Sequence, residues 1–513
     1  MKEKAEKAFG KIFCSFAIVM YGLLFYYCLG VTGENSGPLS EEFIYFKKDS
    51  VLFNIIILGA AYLALYFLSK LSVLFEEKRR RNILLAAVSV WAVIFGIYWV
   101  TTSKTSPQGD PGLILWYARD ICKGDFTQFQ EGGYLAIYPH QLGMVTLLLP
   151  FVKLFGANDY LAFQYFTALL LPVIFVSGAK IVRFISNDNA KVEFLYIFFM
   201  VTCFPLYAYT PFVYGDLCSL EIGMLAVWAL LSCLKSFRVY KLIALGVAAG
   251  ISVQMRRNMV IMVIALEIVL LIKMACGSAS RLKAAAMGIS MLAGLLVFQG
   301  CIDLAYSGVK DKNADEFPVS TFIVMGLNDD HGHPGWDNCY SYDLFFENGM
   351  DTELTKQQAV KDFKAYLTLY KNNPAYMADF FARKMNAQWN APMYQCIVMN
   401  NYLIGVQGKL VNSIYSRGRL GRLVEGYMKI YQLVLYSSIL FFLAARRNSS
   451  GSIEKWALLI TVFGGFLFSL MWEAKTRYVF PYLIMQLPYM AMGVNEIVLF
   501  IKGKISGKGK QYQ

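Results

Sequence analysis

The chain of 513 residues is 57% hydrophobic and only 16% charged, where a soluble protein of this size carries about a quarter charged residues. Its mean hydropathy of +0.46, with several runs near the roughly 20 apolar residues that cross a hydrocarbon core, predicts an all-α polytopic membrane protein. The net charge of +13 does not describe a nucleic-acid binder: Lys and Arg sit mostly in short loops between apolar spans, where they set orientation, and no basic stripe carries base-stacking aromatics.

Lys2, Lys4, Lys7 and Lys11 precede the first apolar run and put the N-terminus in the cytoplasm. No small-residue cleavage site follows, so this run is expected to be an uncleaved span. Spans near 12–30, 51–75 and 83–101 are separated by an acidic loop with Glu34, Glu41 and Glu42 and by the basic Lys78-Arg79-Arg80-Arg81. The third span delivers Asp110 to the outside, at the head of an external loop over 102–159. Within that loop Leu113–Ile121 reads as an amphipathic surface helix. Leu142–Phe155, only 14 residues long, suits an interfacial or re-entrant helix better than a span.

Further spans are expected near 160–182, 193–212 and 217–234, followed by a hairpin of two short apolar arms, 242–255 and 258–272, with Arg256-Arg257 at its tip. A span near 284–303 leads to a polar region, 304–425, that span parity places outside; it holds a predicted helix over Thr355–Tyr370, ended by Asn372-Asn373-Pro374. Spans near 426–445, 455–472 and 478–501 follow, with Arg446-Arg447 between the first two and a lysine-rich tail inside. The scheme has about twelve spans in four parts: two N-terminal spans and a basic loop (1–82), a transmembrane core (83–303), the external polar region (304–425) and the C-terminal spans and tail (426–513). The ten cysteines are scattered, most of them in apolar spans, without CxxC or metal-ligand spacing, so no disulfide framework is expected.

In this topology four polar clusters meet on the outer face. Asp110 opens the first external loop, with Arg119, Asp120 and Asp125 downstream and Tyr138-Pro139-His140-Gln141 closing it. Asp216 tops one interspan turn, Arg256 and Arg257 a second, and Glu473, Lys475 and Arg477 a third. Two adjacent arginines on the face where short loops are poor in cations suit a lipid phosphate or pyrophosphate through paired hydrogen bonds. Snorkelling to ordinary headgroups is the plainer alternative. Asp110 before Pro111 and Asp216 after Gly215 also suit helix caps, and Glu473 with Arg477 suits an i,i+4 surface pair. Asp329-Asp330-His331-Gly332-His333 offers carboxylates and imidazoles for a divalent metal, but consecutive residues on a Gly/Pro-rich turn more often form a polar loop. Glu267, in the second arm of the hairpin, is the residue a transporter would use.

Taken together these positions resemble the GT-C superfamily of membrane glycosyltransferases, in particular the bacterial family 39-like enzymes related to protein mannosyltransferases and to the lipid A aminoarabinose transferase. The resemblance runs from about 83 to 500, the first two spans standing as an addition. Pro107-Gln108-Gly109-Asp110, Trp116-Tyr117-Ala118-Arg119 and Lys123-Gly124-Asp125 are similar to the first external loop of the family. Tyr138-Pro139-His140-Gln141 and Lys153-Leu154-Phe155-Gly156 resemble its surface helix and LFG turn, and Glu473 with Arg477-Tyr478 a late E-x-x-x-R-Y element. Val324–Asn328 and Arg383–Asn390, which includes Trp389, resemble Gram-positive members.

The resemblance implies an inverting transfer of sugar from a polyprenyl phosphate to an envelope glycan, lipid or protein at the outer face of the cell membrane. Asp110, Asp216 and Glu473 are the implied catalytic acids. Arg256, Arg257, Arg477 and His140 would meet the donor phosphate, and Arg119, Tyr138, Gln141 and Trp389 the substrates. Asp110 is followed by Pro111 where the family often has Asp-Glu, so a divalent metal at this acid stays open and no other cofactor is expected. The competing functions are a flippase for a lipid-linked sugar and a non-catalytic envelope-assembly protein.

Overall fold

The computed structural model describes residues 2–35, 42–329, 332–400, 402–446 and 452–505. Glu41, Asp330, His331, Arg447 and the tail beyond 505 lie outside them. The chain is an all-α polytopic membrane protein. Helix α1 (Lys2–Gly30) leads into an antiparallel pair, β1 (Val31–Glu34) and β2 (Tyr45–Lys48), with Val31 opposite Lys48 and Glu34 opposite Tyr45. Ser50 then caps α2 (Val51–Lys70), its hydroxyl accepting from Phe53 N at 3.3 Å, which satisfies a first-turn amide without an intrahelical partner. The basic run at Lys78 opens α3 (Lys78–Ser103). Phe16, Val19, Leu52, Ile56, Ile83 and Val90 on these three helices are exposed; such a surface suits lipid rather than water.

The external loop folds into α4 (Asp110–Lys123), α5 (Tyr134–Ile137) and α6 (Leu142–Phe155), with α4 and α6 packed together. The core continues through α7 (Asp159–Ile185), α8 (Ala190–Thr202), α9 (Phe204–Ala208), α10 (Gly215–Lys235), α11 (Val239–Met255), α12 (Val260–Ala275) and α13 (Arg281–Tyr306). Among the described residues ten apolar helices are long enough to cross a bilayer. The two other expected spans are shorter. The arm 242–255 is the 17-residue α11, and the stretch 193–212 is broken at Cys203 (ψ 88°): Pro205 has no N–H for the carbonyl four residues back and its ring crowds that group, so it is accommodated in the first turn of a new helix instead of continuing α8.

Region 304–425 forms α14 (Val319–Met325), α15 (Tyr340–Glu347), α16 (Thr352–Asn372), α17 (Pro374–Trp389) and α18 (Lys409–Tyr415). The predicted helix at 355–370 is α16, capped by Asp351 on Leu354 N at 2.8 Å and stopped where Pro374 starts α17. These helices pack down onto the bundle: Ile44, Trp336, Ala387, Ala391 and Ala474 form one small core that joins the N-terminal hairpin, this region and the loop after residue 472. The chain ends with α19 (Arg419–Arg446), α20 (Ala457–Met471) and α21 (Phe480–Ile505). Among the described residues the cysteines form no disulfide.

Candidate functional site

The site begins with two glycines. A side-chain carbon on Gly215, at the head of α10, would lie 2.0 Å from the carbonyl oxygen of Met255, and one on Gly143, in α6, 2.1 Å from that of Gln254. Only hydrogen fits there, so both helices close directly on the turn between α11 and α12. The turn is extended at Arg256 (φ −151°, ψ 112°). The approach brings Asp216 Oδ1 to 3.5 Å from Arg256 Nε, with the Asp216 side chain 2% exposed. A buried carboxylate of this kind holds its cation in place.

Aromatic rings fix the cations from the other side. The Arg256 guanidinium stands 4.7 Å from the centre of the Tyr214 ring and 5.3 Å from that of Tyr478; Arg477 stands 5.5 and 5.3 Å from the same two rings. Two guanidinium groups thus share two tyrosine faces, an arrangement that offsets part of their repulsion. Gln141 donates to the Tyr214 hydroxyl at 2.6 Å. Arg257 donates to Gln299, which donates in turn to Asp303 at 2.9 Å.

Asp110 faces this cluster. Its Oδ2 is 3.9 Å from Arg477 Nη2, its Oδ1 accepts from the Tyr134 hydroxyl at 3.4 Å, and its side chain is 46% exposed. It does not cap its helix: Gly109 occupies the cap, with φ 59°, and Asp110 begins the first turn. Burial and the nearby Asp110 carboxylate push the Tyr134 and Tyr138 phenols up, so both stay protonated donors at neutral pH. Glu473 accepts from the Tyr478 hydroxyl at 2.8 Å and pairs with Lys475 at 3.2 Å rather than with Arg477. Burial and the Glu473 charge raise the Asp337 carboxyl.

These groups line one cavity of about 720 Å³. Of the eleven expected site residues, Asp110, Glu473, Arg256, Arg257, Arg477, His140, Tyr138 and Gln141 line it. The other three take different places. Asp216 lies behind Arg256, paired with it, and does not line the cavity. Arg119 grips the fully buried Asp159 through two bonds of 2.6 and 2.7 Å, tying α4 to α7. Trp389 is fully buried, its indole nitrogen donating to Ser469 Oγ at 3.0 Å; its aromaticity serves packing.

Sequence reasoning passed over Tyr134, Tyr214 and Asp337, and named Tyr478 only as the end of the E-x-x-x-R-Y element. Tyr214 sits two residues before Asp216 in the chain, which was its only signal. Sequence reasoning also passed over Glu221, fully buried in α10 with neither carboxyl oxygen hydrogen-bonded among the described residues. Glu267 is half-buried against Gly288 of α13.

Of the possible metal run, Asp330 and His331 lie outside the described residues. Asp329 pairs with Arg383 at 2.5 Å, and the His333 ring stacks on Phe43 at 4.0 Å. Among the described residues no group of three His, Cys, Asp or Glu side chains converges as a metal site. The cavity carboxylates Asp110 and Glu473 have tyrosine and cationic neighbours, and Asp303, Glu316 and Asp337 line the same cavity.

No family model matches the chain, and no curated protein matches it by sequence. Among solved structures it is similar to the archaeal oligosaccharyltransferase AglB from Archaeoglobus fulgidus, in complex with an inhibitory peptide and a dolichol-phosphate. The TM-score is 0.46 and the identity 13%, over 84% of this chain and 53% of that one. The chain therefore spans about half the length of that protein.

Proposed function

We propose that the chain is a membrane glycosyltransferase of GT-C type that moves a sugar from a polyprenyl-phosphate donor to a hydroxyl of an envelope glycan, lipid or protein, at the outer face of the cytoplasmic membrane. The observation that carries the reading is the meeting of three arginines with a half-exposed carboxylate in one cavity. The donor phosphate lies against Arg256, Arg257 and Arg477. Asp110 accepts the proton of the acceptor hydroxyl as its oxygen bonds to the sugar C1. The bond from C1 to the phosphate oxygen breaks, and the electron pair leaves on the phosphate, where the guanidinium groups stabilise it. Attack opposite the leaving group inverts the anomeric centre. Tyr214 and Tyr478 keep the cations aimed before the charge develops, and no step requires a metal.

The test is binding of a polyprenyl-phosphate sugar, and of sugar-free polyprenyl phosphate, to the wild type and to Arg257→Gln and Arg477→Gln. Weaker binding of both lipids by each variant is expected; binding that ignores both substitutions overturns the reading. A second reading, a flippase for the same lipid, is favoured by one observation, the unpartnered Glu221 within α10. It requires lipid scrambling in vesicles that Glu221→Gln abolishes.

A further inference from the structure

The helices that build the arginine cavity end in a second basic site. Helix α10 carries Asp216 in its first turn and Lys235 in its last, 21 residues in all, a length of about 30 Å. Helices α7 and α12 run alongside from the same end. Where the three finish and α13 begins lies another cavity of about 720 Å³.

Its charge is lopsided. Five cations line it (Arg183, Lys235, Lys273, Lys283 and Lys455) against two carboxylates, Asp188 and Glu454. Both carboxylates are already engaged: Glu454 with Lys273 at 2.7 Å and Asp188 with Arg81 at 3.2 Å. Arg183 is held by the buried Glu193 at 2.6 Å, and Lys455 donates to Asn187 at 2.7 Å. Lys235 and Lys283 have no carboxylate partner among the described residues; the Lys283 ammonium stands 5.8 Å from the Phe237 ring. Ser278 and Ser280 add hydroxyls to the lining.

Lysines that only orient a span in the membrane have no need to share a concavity. From their convergence here we infer that this second cavity binds a phosphate group, supplied by an anionic phospholipid or by a soluble phosphate, at the end of the bundle remote from the arginine cavity. Compact ammonium charges and hydroxyl donors suit such a group, and basic pockets between spans take anionic headgroups. This site is independent of the transferase reading.

The full chain in nanodiscs of phosphatidylcholine with phosphatidylglycerol, examined by native mass spectrometry, tests the inference, with inorganic phosphate titrated in a separate arm. The wild type retains phosphatidylglycerol preferentially, and Lys235→Gln/Lys283→Gln weakens that retention about tenfold or more, while Lys235→Arg/Lys283→Arg keeps it and controls for folding. Phosphate that binds the wild type but not the Gln pair identifies a soluble source; loss seen only with the lipid identifies the membrane. Equal behaviour of wild type and the Gln pair in both arms overturns the inference. Because the pair leaves the arginine cavity intact, lipid held there does not mask the result.

Discussion

Replacing Arg256 by Met separates the two roles that its surroundings give it. The substitution removes the guanidinium paired with Asp216, leaving a carboxylate that is 2% exposed, 3.5 Å from where its partner stood, with the more distant Arg477 as a remaining cation. Breaking a buried pair from one side costs about 3–5 kcal/mol, so Arg256→Met is expected to lower the apparent melting temperature clearly in detergent or nanodiscs. Adding Asp216→Asn removes the stranded charge, and a neutral pair of similar volume is often no less stable than the ion pair. Arg256→Met/Asp216→Asn should therefore recover most of the lost stability. Turnover should not recover, because losing one preorganised donor to the leaving group costs about 10²–10³ in rate. The assay pairs thermal unfolding with release of polyprenyl phosphate from the donor. A double variant that regained both stability and turnover would reduce Arg256 to a counter-ion for Asp216.

The tyrosine that both arginines share should behave differently with its ring kept or removed. Tyr214→Phe loses only the bond from Gln141 and is expected to stay within a few-fold of wild-type turnover, whereas Tyr214→Ala removes two cation–ring contacts worth about 0.5–2 kcal/mol each and should lower turnover at least tenfold; equal effects would remove the rings from the account. Arg119→Ala strands the buried Asp159 and should cost stability, about 3 kcal/mol or more, with little change in the KM for donor; a raised KM at full stability would restore Arg119 to the substrate site. Lys384 is fully buried in α17 and donates to the Gly326 carbonyl; burial, partly opposed by Glu473, lowers its ammonium to about 7. Between that value and the ordinary 10.5 the unfolded chain binds the extra proton, so stability rises with pH: the wild type should gain melting temperature relative to Lys384→Met from pH 7 to 9, and a fall across that window would contradict the burial of a charge there.

The helices were legible because their signal is local: apolar length, proline and basic punctuation. Even the break at Cys203 was written in Pro205, although mean hydropathy hid it. The pair β1–β2 was not legible, since Tyr45–Lys48 carries no alternation and is exposed on both faces. In the site, polar and charged residues at span ends were readable one by one, and eight of the eleven expected meet in the cavity, five of them charged. What could not be read was which acid faces the cavity and which faces a cation. Asp110 and Asp216 both follow a glycine at the head of a helix, yet one is half-exposed and the other buried behind Arg256. That difference is set by Gly215 closing on the Met255 carbonyl, a contact between residues forty positions apart. The places of Trp389, packed in the core, and Arg119, paired with Asp159, were illegible for the same reason: a motif gives residue type, while burial and partners are set by the tertiary fold.

The central claim is that Asp110 takes the acceptor proton. Wild type and Asp110→Asn, each purified and supplied with a panel of polyprenyl-phosphate sugars and an envelope extract, are compared for donor consumption. The account predicts one or more donors consumed by the wild type, with Asp110→Asn binding them as tightly but turning over about 10²–10⁴ more slowly, the contribution of a positioned general base. Consumption by Asp110→Asn at the wild-type rate would contradict it.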